Sequence, residues 1–151
     1  KRSAYTTRPK WVDYLFCVVG FALTVKFILQ AVSIVPSLSD LVFGIRSIVI
    51  AYLHLILLGI YSTFILAVGF YTGYLEPNRL AKIATFSFIT GIVLNELFLG
   101  THGFAAFFYK TVPYMNELLL FVALILFISS LFIFLSQITR AQHQAKDNLI
   151  R

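Results

Sequence analysis

Residues 47–70 read SIVIAYLHLILLGIYSTFILAVGF, an apolar run with no Asp, Glu, Lys or Arg and one histidine, His54. A helix that crosses a bilayer needs about 20 mostly apolar residues, so this run predicts a membrane span. Three further stretches meet the same requirement, roughly 12–35, 83–104 and 118–138. The expected fold is therefore all-α: a four-helix transmembrane bundle over 12–138, with a basic flank at 1–11 and a polar tail at 139–151.

Composition points the same way. The 151 residues are 60% hydrophobic and only 12% charged, whereas a soluble domain has about a quarter of its residues charged. The net charge of +6 does not imply a nucleic-acid partner, because the basic residues flank apolar segments instead of lying along one face. Cys17 is the lone cysteine, so no disulfide forms within the chain, and no Cys or His spacing suits a zinc site. The single methionine is Met115, which leads us to expect a piece of a longer polytopic protein. Its partners would be lipid and the remaining helices of that chain, or other membrane subunits.

The breaks between spans carry turn residues: Pro36 to Asp40, Glu76-Pro77-Asn78-Arg79, and Lys110 through Pro113 to Glu117. Orientation follows from Lys and Arg. Lys1, Arg2, Arg8, Lys10, Arg79, Lys82, Arg140, Lys146 and Arg151 fall on one side, against Arg46 and Lys110 on the other. Both termini are expected in the cytoplasm, and the membrane is expected to be a bacterial inner membrane. The first span is too long for a signal peptide, holds Lys26 and lacks a small-residue cleavage site.

Ionisable groups inside apolar spans cost about 2.5–3.5 kcal/mol each on insertion scales, so each asks for a partner or a purpose. Lys26, His54 and Glu96 are the three. Counted from the outer ends of their spans they lie at a similar depth, on the order of 12–15 Å, which predicts one polar layer. A structural reading pairs Lys26 with Glu96, supported by Gln30 and Asn95. His54, among Leu53, Leu55, Ile56 and Leu57, has no evident local partner and is a candidate for cross-bundle hydrogen bonding, proton relay or metal ligation. Asn95 and His102 are seven residues apart and share a helix face, and Gly100 and Gly103 beside His102 permit close approach of a backbone or flat ligand. His143 reads as a surface residue, and Ser129-Ser130 as a small polar pair packing on a neighbouring helix. No nucleophile, phosphate loop or enzymatic carboxylate pair is recognisable, and no catalytic residue is assigned.

Ala51-Tyr52-Leu53-His54 through Gly59, running on to Gly69-Phe70, resembles the tenth helix of subunit I of the haem-copper respiratory oxidases, which carries an Ala-His-Phe-His pattern followed by Gly and Gly-Phe. Leu80 to Ile83, Phe88 to Asn95 and His102 resemble the entry and body of the family's eleventh helix. The four spans would then correspond to helices nine to twelve. The resemblance implies His54 as an axial ligand of a low-spin b-type haem, with His102, Asn95 and Lys110 near the cofactor. It also implies that the chain is not a complete oxidase by itself, because Tyr52 stands where the family places the high-spin haem ligand. The copper ligands and the second low-spin axial histidine lie on earlier helices in the family, and Lys26 and Glu96 have no counterpart there.

Three functions remain open from sequence: haem binding at His54 for electron transfer or for haem or nitric-oxide handling, an intramembrane proton or ion relay through Lys26, His54 and Glu96, and a structural membrane subunit with no ligand.

Overall fold

Each apolar stretch forms a helix long and apolar enough to cross a membrane, and together they make an all-α four-helix bundle. The structure is a computed structural model that describes residues 10–35, 46–108, 110 and 112–149. The turn from Pro36 to Asp40 and the basic residues Lys1, Arg2, Arg8 and Arg151 lie outside the described residues, as does the side chain of His143. The helices are α1 (Lys10–Val32), α2 (Arg46–Thr72), α3 (Arg79–Phe107) and α4 (Met115–Leu149). No strand occurs among the described residues.

Most of the large apolar side chains along these helices are exposed, among them Phe21, Phe86 and Phe121. Such continuous apolar exposure marks a lipid-facing surface. The chain is accordingly described as an integral membrane protein.

Burial is confined to the seams. On α1, Val12, Leu15, Val19 and Ala22 are buried at helical spacing, and this stripe meets the later part of α2. Trp11 stands edge-on to Phe70 at 4.7 Å, and Phe16 to Phe64 and Tyr71 at 6.3 and 6.2 Å. A second core joins Ala84, Phe88 and Ile92 of α3 to Ile133 of α4, with Leu58 and Leu66 of α2 packed against it. Thus α3 lies between α2 and α4, and α1 covers the other side of α2.

Without water to expel, membrane helices associate through close packing and hydrogen bonds, which favours small residues at the contacts. The α3/α4 seam shows both. A Cβ added to Gly91 would stand 2.9 Å from Leu126 Cδ2, and the Ser129 hydroxyl donates to Ser87 Oγ at 2.9 Å. The expected packing of the Ser129-Ser130 pair is realised by Ser129, while Ser130 bonds back to its own helix at Phe127 O.

One departure from the expected regular helix occurs in α2. It is α-helical over Arg46–His54, π-helical over Leu55–Ser62 and α-helical again over Thr63–Thr72. The Ser62 and Thr63 hydroxyls bond to the carbonyls five residues back, Leu57 O at 2.8 Å and Leu58 O at 3.1 Å, the offset a widened turn presents. Gly59, inside this segment, is where α1 crosses: its added Cβ would meet Ala22 Cβ at 3.6 Å.

The helix ends have local causes. Gly73 closes α2 in the left-handed conformation, φ 78°, which costs glycine little. Asn78 caps α3, its side-chain oxygen accepting from Ala81 N at 2.6 Å. The same side chain donates to Ser136 O at 3.2 Å, and Gln137 Oε1 accepts from Glu76 N at 3.0 Å. These bonds tie the α2/α3 turn to α4. The second, third and fourth helices reach farther than the expected spans at both ends, α4 continuing through the polar tail to Leu149, whereas α1 starts two residues early and ends at Val32, short of the expected residue 35.

Candidate functional site

Two independent contacts set the vertical register of the bundle. Ala22 of α1 meets Gly59 of α2, and Gly103 of α3 meets Ile48 of α2, where an added Cβ would be 2.6 Å from Ile48 Cγ1. From the first contact, Lys26 is four residues along α1 and His54 five residues back along α2. From the second, His54 is six residues along α2 and Glu96 seven residues back along α3. Neighbouring helices run in opposite directions, so all three Cα positions fall at one level to within about one 1.5 Å rise.

Level is not contact, and the expected Lys26–Glu96 pair is not formed. The Lys26 ammonium donates to Gln30 Oε1 at 2.8 Å and sits 4.5 Å from the centre of the Phe27 ring. Its charge is thereby engaged within α1, by a residue one turn nearer the loop end. A long flexible stem lets a lysine reach such a partner, and that outcome replaces the predicted ion pair.

Glu96 occupies a different environment. It lies three helical turns from Thr85 and two from Gly103, on the α3 row that meets α2. It is half-buried, and its Oε1 is buried with no hydrogen-bond partner. Next to it Asn95 is buried at 7% exposure, with Nδ2 likewise unpartnered. Leaving a buried polar atom unbonded costs about 1–3 kcal/mol. Glu96 Oε1 and Asn95 Nδ2 are two such atoms, on successive residues of α3.

His54 is half-buried and does have a local partner, contrary to the sequence expectation. Its Nδ1 stands 2.9 Å from Ile50 O, the carbonyl one turn back. A carbonyl can only accept, so Nδ1 carries a proton and donates it to this bond. His54 is also the last residue before the π-helical segment, and π turns are frequent at functional sites.

The remaining candidates are dispersed. His102 is half-buried and five residues beyond Leu97, roughly 8 Å along the axis from the His54 level. Gly103 beside it is occupied by Ile48, while Gly100 faces open space. Tyr52 is half-buried, and Lys110 is exposed. Among the described residues no three His, Cys, Asp or Glu side chains come together as a metal site. Thr85, buried at 1% exposure with an unpartnered hydroxyl, was not anticipated. Its only sequence signal is its three-turn spacing from Glu96.

Comparison with protein families, with characterised proteins and with solved structures finds no match.

Proposed function

We propose that this chain is a membrane-embedded domain that handles protons or small cations at a polar site between α2 and α3, formed by Glu96, Asn95 and His54. The observation that carries this reading is the pair of buried, unpartnered atoms, Glu96 Oε1 and Asn95 Nδ2, at the level of His54. A carboxylate in such a place can take a proton or a cation. A neutral imidazole with a free Nε2 can accept a proton and pass it on. Ionisable groups facing the interior of a helical bundle mark ion and proton paths in membrane proteins. The test is proton flux into liposomes containing the full chain, followed with a trapped pH-sensitive dye. Glu96→Gln and His54→Ala should each abolish flux above the protein-free background, and wild-type flux in Glu96→Gln would overturn the reading.

A second reading has its own support. A histidine that ligates a metal usually donates its other ring nitrogen to a carbonyl or carboxylate, which fixes the tautomer. The Nδ1 to Ile50 O contact gives His54 that arrangement. His54 would then be a residue that holds a b-type haem, as the resemblance to haem-copper oxidase subunit I implies. When bound, such a haem would supply one-electron transfer or binding of a diatomic gas. His102, Asn95 and Lys110 would line its surroundings in that resemblance, and the second axial ligand would come from further helices of a longer chain or a partner subunit. An optical spectrum decides this reading: a Soret band lost in His54→Ala supports it, and no band, or one unchanged by that substitution, overturns it.

A further inference from the structure

The π-helical segment divides α2 into two halves that are held by different neighbours. In the later half Thr63, Ala67 and Phe70 are buried, and Phe64, Phe70 and Tyr71 meet the rings of Phe16 and Trp11 on α1. The earlier half, Arg46–His54, has no buried residue and packs on α3, where Ile48 lies against Gly103. The widened turns therefore join a firmly seated half to a lightly seated one.

A π turn is an α turn that holds one residue too many. When its bonds move from the fifth to the fourth carbonyl back, the surplus residue passes into the neighbouring α-helix. With the later half fixed, each residue of Arg46–His54 then takes the place of the one before it, a rotation of about 100° about the axis.

The sequence tolerates this slip at the contacts it changes. Val49 takes the place of Ile48 against Gly103, one β-branched side chain for another. Leu55 enters the half-buried place of His54, and His54 moves to that of Leu53, which is 50% exposed. The bond between His54 Nδ1 and Ile50 O lies within the earlier half and turns with it. Ser62 and Thr63, which donate to Leu57 O and Leu58 O in the π form, find Leu58 O and Gly59 O in the α form, the fourth carbonyls back that Ser and Thr hydroxyls bond in α-helices. Neither hydroxyl loses its partner.

We propose that residues 55–62 are a register switch, at which the earlier half of α2 turns by one residue between a π form with His54 half-buried and an α form with Leu55 in that place and His54 toward lipid. Packed helices move between discrete arrangements of this kind because their interfaces are not continuously deformable. Exposing an imidazole to lipid is costly, so the π form is the favoured one. The switch sets whether His54 is presented to the bundle interior, and it rests on neither reading of what that histidine does there.

The experiment places spin labels at Leu53→Cys and Phe121→Cys, both exposed positions, in the full chain carrying Cys17→Ser, and measures their separation in lipid nanodiscs by pulsed dipolar spectroscopy. A main distance for the π form and a second one several ångströms away are expected. His54→Leu, which removes the cost of exposing the imidazole, should enlarge the second population several-fold. Deletion of Leu57, which takes out the surplus residue and leaves both halves on their π-form faces, should leave the main distance alone. Deletion of Ile56 serves the same purpose if that variant does not fold. A single distance in both the wild type and His54→Leu would overturn the proposal. So would two distances that survive the deletion, since they would arise from the labels themselves. Proton flux and haem content do not enter the measurement, so its failure is distinct from failure of either functional reading.

Discussion

Gly103 of α3 lies so close to Ile48 of α2 that a methyl group on the glycine would come within 2.6 Å of Ile48 Cγ1. Ile48 is β-branched and its backbone nitrogen is also near, at 3.6 Å, so the side chain has little room to give. Gly103→Val is expected to destabilise the bundle by about 1–3 kcal/mol. Combining it with Ile48→Ala should recover part of the loss. Gly100→Ala, which meets open space, should be neutral or slightly stabilising. Unfolding in mixed detergent measures all three.

The Ser129 to Ser87 hydrogen bond links α3 and α4 inside the membrane. Hydrogen bonds between membrane helices average about 0.6 kcal/mol, so Ser87→Ala and Ser129→Ala should each cost on that order. A double-mutant cycle should return a coupling energy of similar size, and additive effects would show that the bond contributes nothing.

Asn78 performs two tasks, capping α3 through its oxygen and holding α4 through its nitrogen. Asn78→Ala should cost about 1 kcal/mol for the cap, with a further loss from the freed Ser136 carbonyl. Asn78→Asp keeps the cap oxygen and loses the donor to α4, so its stability should fall between wild type and Asn78→Ala. An order with Asp below Ala would refute this division of roles.

Thr63 is fully buried and its hydroxyl bonds to Leu58 O at the end of the π segment. Thr63→Val keeps the shape and removes the donor, and should cost about 1 kcal/mol. Thr63→Ser keeps the donor and should retain slowed amide exchange in residues 55–62, which Thr63→Val should speed. Equal exchange in the two variants would show that the hydroxyl does not hold the widened turn.

The spans were legible because a bilayer imposes a length and a composition that few other structures share, and residues 47–70 meet both. The three-residue level was legible too, since rise per residue and span ends suffice to place Lys26, His54 and Glu96. Pairing within that level was not. Lys26 bonds Gln30 on its own helix, within easy reach of its flexible stem, and His54 found a backbone carbonyl, which every residue supplies and no motif advertises. The π segment was illegible for another reason. In a run as uniformly apolar as Leu55–Leu58 there is no alternation whose phase could slip, so one widened turn leaves no trace in residue type.

At its far end α4 is a single uninterrupted helix of 35 residues, about 50 Å long, whereas the hydrocarbon core is about 30 Å thick. The segment beyond Ile138 therefore extends the membrane helix as a rod instead of hanging from it as a tether. A rod transmits torque. The outer turns are thus continuous in backbone with the face that sets Ser129 against Ser87.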